Sequence, residues 1–416
     1  MKKLSFLVVA ASALTACAAI EIVSPKMGAT VEQLRPVQRD FILQSKESRD
    51  KYFDGAENAA ALRKDGTTPQ PIVLEWKGDK ADYTVTLKRL PDGKTFFTAS
   101  VPSNRVEVDS LEIARDWEWT VSGGGETATG RFRTEDLWPR LIRIDGTINA
   151  RDIGGMIGLN GRRVKQGLVF RTAGLNHNAP IEYYSNEEIM QLYKDGKLME
   201  MGEAGKHLAK KLKKGGKLHS RAKSNGLVKR KCYAPGKVRL SEAERVRVLK
   251  DYGFKSDVDL RRDDECFGMT GSPLGPEVKW WQFHDAEGKS GYSAYAGAFS
   301  ERGTNLNQQV FRIFMDPKNY PIVFHCIGGA DRTGTVGLIL EALLGVSEDM
   351  MWKDYLTTGF VGVVSDPPHK RNITGTFEAL GKTPGATWAE KAERYFLDLG
   401  FTAKEIADLR EFLLEK

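Results

Sequence analysis

Two hydrophobic patterns divide the chain. Between residues 70 and 135, apolar and polar positions tend to alternate, as in Trp117-Glu118-Trp119-Thr120-Val121, with breaks at Pro91-Asp92-Gly93 and Gly123-Gly124-Gly125. A period of two marks strands with one buried face. It predicts strands over 71–76, 82–90, 95–101, 104–108, 116–121 and 127–133, and their spacing suggests an all-β sandwich. The stretch 24–31 reads as a first strand, and the charged, Ala-containing stretch 45–64 as helical. After Trp138-Pro139 the pattern changes. Short apolar runs at 254–260, 280–283 and 322–324 read as strands. Stretches of helical periodicity lie between and after them, over 183–212, 304–315, 348–357, 388–399 and 403–414. Ser241-Glu242-Ala243-Glu244 is a capping box that opens a helix ending near Gly253. Strands alternating with helices predict an α/β layer arrangement, with a mainly parallel sheet flanked by helices.

At 416 residues the chain is too long for one compact core. The patterns divide it into a leader at 1–17, a β module at 20–137 and an α/β domain at 138–416. Composition is ordinary for a globular protein, with 41% hydrophobic and 28% charged residues. The net charge of +7 matters less than its distribution: residues 206–239 contain no carboxylate at all. Such a run is either a solvated face or a rim that attracts anionic substrate or anionic lipid headgroups. It lacks the aromatic interleaving of a nucleic-acid surface, so no nucleic acid is expected. The four cysteines, Cys17, Cys232, Cys266 and Cys326, have no C-x-x-C spacing. Neither a zinc site nor a disulfide framework is expected, although a Cys232–Cys266 pair stays open. Cys266 is expected as a packed thiol.

The chemistry concentrates in His325-Cys326-Ile327-Gly328-Gly329-Ala330-Asp331-Arg332-Thr333-Gly334. An apolar strand ends at His325, and from Thr335 a buried helix runs to Gly345. The Gly-containing loop between them starts at Cys326 and ends at Arg332. Backbone N–H groups of residues 327–332 can cup phosphate oxygens there, helped by the helix N-terminus. Arg332 supplies a planar fork for the same oxygens. The same positive setting favours a thiolate at Cys326. The alternative is a structural cysteine with Arg332 capping a loop. No metal or cofactor is called for.

The stretch H-C-x-x-G-x-x-R-T-G resembles the signature loop of the protein-tyrosine phosphatase superfamily. The resemblance implies a phosphocysteine intermediate at Cys326, phosphate binding by Arg332 and a Thr333 hydroxyl that steadies the thiolate. Asn149-Ala150-Arg151-Asp152-Ile153-Gly154-Gly155, followed by Gly167-Leu168-Val169-Phe170-Arg171, resembles the start of the bacterial tyrosine/serine phosphatase group. Asp259-Leu260-Arg261 with Glu265 also follows that group. Arg151 is expected to pair with Asp152, with substrate contact as its alternative. Arg261 is expected either to pair with Glu265 or to help hold the anion. His325 and Asp259 are further candidates for pocket support. Residues 175–240 depart from the group as a basic insertion. A second departure is Ala330, where the group carries a lysine associated with phosphoinositide substrates. Its absence turns the expected substrate toward phosphotyrosine, with phosphoserine, small phosphoesters and inositol lipids as alternatives. The Leu111…Trp117-x-Trp119-x-Val121 pattern resembles a fibronectin type III or immunoglobulin-like module.

Cleavage of a phosphoester needs an acid for the departing oxygen and later a base for water. Asp285, in a loop after a strand, and Asp331, inside the phosphate loop, compete for that role. At the N-terminus, Lys2 and Lys3 precede the apolar run 4–14. Leu14-Thr15-Ala16-Cys17 resembles a bacterial lipoprotein cleavage box, which implies lipidation of Cys17. Export with attachment to a membrane through that lipid is therefore expected. An ordinary secretory signal is the alternative. Two other function classes compete with an enzyme acting on a phosphorylated protein or acidic phosphoester. One is an exported binding protein for phosphorylated ligands. The other is a structural envelope lipoprotein, which leaves the Cys326 loop unexplained.

Overall fold

Trp117, Trp119 and Val121 stand at alternate positions of one strand, and all three are fully buried. Their pattern is repeated in the neighbouring strands, which together form the first part of a mixed α/β chain. The computed structural model describes residues 19–53, 65–79, 82–175, 181–220, 225–231, 240–266, 269, 271–361 and 367–416. The leader 1–17 with Cys17, and also Cys232, lie outside the described residues.

The N-terminal part holds β1 (Glu21–Ser24), β2 (Ala29–Val31), β3 (Ile72–Lys77), β4 (Tyr83–Leu90), β5 (Thr95–Val101), β6 (Arg105–Val108), β7 (Asp116–Gly123) and β8 (Glu126–Thr134). They form a three-stranded sheet ordered β1-β3-β6 and a five-stranded sheet ordered β2-β8-β7-β4-β5. Leu74 and Trp76 of the first sheet share one hydrophobic cluster with Tyr83, Val85, Trp117 and Trp119 of the second. Trp76 meets Tyr83 edge-on, with ring centroids 5.2 Å apart, and Trp119 at 6.2 Å. Trp119→Ala would leave a large cavity there and should destabilise this part by about 3–5 kcal/mol. Urea denaturation followed by tryptophan fluorescence measures the change.

One expectation for this part needs correction, and a second is described only in part. The stretch 24–31 is not one strand: β1 pairs with β3 and β2 with β8, so the chain changes sheets at the turn around Gly28. The helix expected over 45–64 is described only as α2 (Lys46–Arg49), and 54–64 lie outside the described residues. Before it, α1 (Pro36–Leu43) packs away from the β cluster. Phe41 packs at tilted and edge-on angles against Tyr52, Phe53 and Phe360, in the larger core.

The larger part contains β9 (Arg140–Leu141), β10 (Arg151–Asp152), β11 (Val169–Thr172), β12 (Ile181–Tyr183), β13 (Val228–Lys231), β14 (Ser256–Asp259), β15 (Lys279–Trp281) and β16 (Ile322–His325). Its main sheet is ordered β15-β14-β16-β11-β10-β9. The first four of these run parallel, and β10 and β9 add antiparallel pairs at one side. Helices follow: α3 (Asn186–Lys194), α4 (Gly202–Lys213), α5 (Glu242–Tyr252), α6 (Glu301–Phe314), α7 (Asp331–Leu343), α8 (Glu348–Thr357), α9 (Pro367–Gly381), α10 (Trp388–Asp398) and α11 (Ala403–Leu413). The helix expected over 183–212 is two helices. Gly196 and Gly202, at φ +73° each, interrupt it around a short turn at 198–200. β12 pairs with β13, and a small cluster of Ile189, Leu198, Leu208, Ala209 and Leu227 gives this insertion its own core. Among the described residues no helix is long and apolar enough to cross a membrane.

In the parallel register, Thr172 stands opposite His325 and His325 opposite Asp259. The carboxyl ends of β11, β16 and β14 therefore meet at one place, where open α/β sheets receive ligands.

Candidate active site

β16 is fully buried on both faces, as expected of a central parallel strand. It delivers Cys326 to the carboxyl edge of the sheet, and five residues later α7 begins. The loop between them is shaped by its carbonyls. Ile327 O accepts from Gly174 N at 2.9 Å. Gly328 O and Gly329 O each accept from Asn149 Nδ2 at 3.1 Å, and Gly329 O also from Arg171 Nη2 at 2.8 Å. Peptides are planar and trans, so carbonyls drawn into the protein turn the following N–H groups the other way. Gly329 makes the turn possible: its φ is +68°, and a Cβ there would lie 2.5 Å from Thr172 O. The loop thus has the form of an anion-binding nest.

Cys326 is 2% exposed. Burial pushes its thiol up, but the Arg332 charge and the hydroxyl and amide of Thr333 outweigh it, so its pKa lies below the ordinary value. The Thr333 hydroxyl is itself fully buried and has no other hydrogen-bond partner among the described residues. Arg332 donates through both terminal nitrogens to Glu265, Nη1 at 2.5 Å and Nη2 at 3.2 Å, and from Nη1 to Leu260 O at 3.3 Å. The arginine and carboxylate hold each other in place at the mouth of an open cleft of about 750 Å³. Arg262, Asp331, Tyr295 and Arg302 also line that cleft.

The sequence model described as the tyrosine phosphatase family matches residues 142–184 and 219–415, more than half of the chain. The chain belongs to the tyrosine phosphatase family. Residues 185–218, which the match omits, are where this phosphatase carries α3 and α4. No curated relative matches it. Among solved structures, a β-glucuronidase from Parabacteroides merdae, with glycerol in its active site, is 16% identical over 31% of this chain and 17% of its own length, with a TM-score of 0.12. That likeness carries no argument about the phosphatase.

Two ion pairs of the phosphatase differ from those expected. Arg151 pairs with Asp354, not with Asp152: its Nε lies 2.7 Å from Asp354 Oδ1. Asp152 instead pairs with Arg140 at 2.9 Å and accepts the N–H groups of Gly154 and Gly167. Arg261 is engaged by Asp259, with Nε and Nη2 at 2.8 and 2.7 Å, which leaves Glu265 to Arg332. The reason is geometric. Asp259 ends β14 two residues before Arg261, so a bidentate clasp closes locally, while Glu265 lies on the next turn facing the cleft. Burial works against the Asp259 charge, but His325 and Arg261 outweigh it and bring its pKa down to about 2. Cys266 Sγ lies 3.6 Å from the same carboxylate, and burial with that negative neighbour pushes its thiol up to about 12.

His325 is the last residue of β16 and stands directly before Cys326. Its Nε2 lies 2.9 Å from Asp257, and its Nδ1 lies 3.1 Å from Cys326 O. Burial disfavours the imidazolium, but Asp259 and Asp257 raise its pKa above the ordinary value. Ala330 is 1% exposed and packs in the large hydrophobic cluster.

The two candidate acids sit differently. Asp285 closes a tight turn, accepting from the amides of Glu287 and Lys289 at 3.0 and 2.8 Å, and pairs with Arg302. Burial pushes its carboxyl up, but Arg302 and those amides outweigh it and lower its pKa. Asp331 lies beside Arg332 on the cleft wall, where the Tyr295 hydroxyl donates to it. Tyr295 is a residue that sequence reasoning passed over. It stands in a Tyr- and Gly-rich segment, 291–297, and begins a short 3-10 turn at Tyr295–Phe299 against α7. Arg262 and Arg302 carried no signal beyond their charge.

Proposed function

We propose that this phosphatase is a cysteine-dependent phosphomonoesterase with a preference for phosphotyrosine. The observation that carries the reading is the loop itself: the carbonyls of Ile327, Gly328 and Gly329 are drawn into the protein and Arg332 stands at its end, a setting that lowers the Cys326 pKa. The Cys326 thiolate attacks phosphorus, and a P–S bond forms as the P–O bond to the leaving group breaks. Asp331 gives its proton to the departing oxygen. Water then attacks phosphorus, Asp331 takes a proton from it, the P–S bond breaks, and phosphate and thiolate are regenerated. Arg332 exchanges the Glu265 carboxylate for phosphate oxygens, and Thr333 steadies the thiolate. The chemistry calls for no metal or cofactor.

Assaying the full chain in chelator against phosphotyrosyl and phosphoseryl peptides and phosphoinositides tests the reading. Phosphotyrosyl peptides should give the highest kcat/KM. Binding of all three without any turnover would make the chain a phospho-ligand-binding protein instead, and activity lost in chelator would overturn the cysteine mechanism.

A second reading of the substrate rests on the insertion. Lys206, Lys210, Lys211, Lys213, Lys214 and Lys217 are all exposed on and just after α4. Such a face supports attraction of polyanionic substrates, including inositol lipids. If it acts so, kcat/KM on polyanionic substrates should fall steeply between 0.1 and 1 M salt, as the Debye length shrinks from about 10 to about 3 Å. Activity on p-nitrophenyl phosphate should change much less. Replacing Lys210, Lys211, Lys213 and Lys214 by Ser should reproduce the high-salt behaviour at low salt. An unchanged kcat/KM on every acidic substrate would make the face merely solvated.

Two further readings complete the proposal. The two N-terminal sheets sharing the Trp76–Trp119 core fit an immunoglobulin or fibronectin III-like sandwich, acting as a spacer. The leader pattern fits export and lipidation of Cys17, on the periplasmic or outer-membrane side. Metabolic palmitate labelling of the wild type, lost in Cys17→Ser, tests the anchor.

A further inference from the structure

Four charged side chains and one amide lie packed against the buried side of the Cys326 loop, and the proposed chemistry uses none of them. Asn149, Arg151, Arg171, Glu341 and Asp354 are each at most 1% exposed, although they come from distant parts of the chain. Arg151 donates from Nε to Asp354 Oδ1 at 2.7 Å, from Nη2 to Asp354 O at 2.8 Å and from Nη1 to Asn149 Oδ1 at 2.6 Å. Arg171 takes the other oxygen of Asp354. So oriented, Asn149 and Arg171 together occupy the carbonyls of Gly328 and Gly329. α7 makes room for this: a Cβ at Gly337 would lie 3.1 Å from Arg171 Nη1. One turn later Glu341 faces the same cluster, and burial with the Asp354 charge beside it raises its pKa well above the ordinary value.

We propose that Asn149 and Arg171 are positioning residues of the phosphate loop. They hold the Gly328 and Gly329 carbonyls off the cleft and so aim the loop amides at the phosphate and at the Cys326 thiolate. The inference rests on the phosphatase reading above and deepens it. The other groups that act on Cys326 or its loop are Arg332, Asp331 and Thr333 on α7, Tyr355 on α8, and His325, Asp259 and Arg261 at the strand ends. None of these contacts the two carbonyls among the hydrogen bonds described.

Asn149→Gly, Asn149→Asp and Arg171→Lys in the full chain test this through three measurements. These are kcat and KM on p-nitrophenyl phosphate, tungstate affinity by calorimetry, and the pH midpoint of Cys326 alkylation by iodoacetamide. Asn149→Gly suits the backbone, which has φ +61° there, and removes only the side chain. It should lower kcat by roughly ten- to a hundredfold, weaken tungstate and raise the alkylation midpoint. Asn149→Asp keeps the shape and the acceptor for Arg151 but turns an acceptor toward two carbonyls. It should be worse than Asn149→Gly by all three measurements, an order that a space-filling role does not give. Arg171→Lys should act like Asn149→Gly, and if it does not fold, the two Asn149 variants decide alone. Wild-type tungstate affinity and alkylation midpoint in any folded variant would overturn the proposal. If the wild type itself neither binds tungstate nor shows a depressed Cys326 midpoint, it is the cysteine mechanism that fails.

Discussion

Cys326→Ser is expected to abolish turnover of p-nitrophenyl phosphate in chelator while leaving tungstate binding nearly intact. Attack on phosphorus needs the thiolate, and a serine hydroxyl in the same place keeps its proton. The anion site does not need the sulfur. It is made by loop amides whose direction is set by Asn149, Arg171 and the N–H of Gly174, none of which the substitution touches. Arg332→Lys should impair both functions together. A lysine replaces the fork by a point charge and cannot span the Glu265 carboxylate or a phosphate bidentately, so both binding and turnover should suffer. In the wild type, the rate should rise with pH through a midpoint below the ordinary thiol value of about 8.5, since Arg332 and Thr333 favour the thiolate. Normal turnover by Cys326→Ser would sink the covalent mechanism.

How much of this was legible in the sequence depended on how local the signal is. The loop from His325 to Gly334 announces itself because strand, glycines, cysteine and arginine are contiguous, and the structure brings them together at one sheet edge. The strands of the N-terminal part were legible because alternation is a property of each strand alone, as in Trp117, Trp119 and Val121. Long-range charge pairing was not. Arg151 and Asp152 are neighbours in sequence, yet on a strand they point to opposite faces, so each meets a different partner: Asp354 on one side and Arg140 on the other. Nothing in the sequence ties Asn149 to Gly328, because the two stand 179 positions apart in the chain. Glu341 could only be read as an odd carboxylate in an apolar helix until Asp354, Arg151 and Arg171 appeared around it.

The choice between Asp331 and Asp285 shows what geometry adds. Both stand after strands, and sequence alone left them in competition. Asp285 is already committed: Arg302 and the amides of Glu287 and Lys289 hold its carboxylate, and its depressed pKa makes it a poor proton donor near neutral pH. Asp331 adjoins Arg332 on the cleft wall, and its contact with the Tyr295 hydroxyl fixes the carboxyl near the phosphate site. Asp331→Asn is therefore expected to lower kcat by about a hundredfold or more on phenyl phosphate, whose leaving oxygen needs a proton. On p-nitrophenyl phosphate, whose leaving group departs readily as an anion, the loss should be much smaller. The plot of log kcat against leaving-group pKa should accordingly steepen in Asp331→Asn and keep its slope in Asp285→Asn. Tyr295→Phe should lower kcat without steepening that slope, since it removes a hydrogen bond that places the acid and not the acid itself. Small and equal losses in the two Asn variants would put the proton donor elsewhere on the cleft wall. Glu265 would be the first residue to examine, because phosphate binding to Arg332 frees its carboxylate.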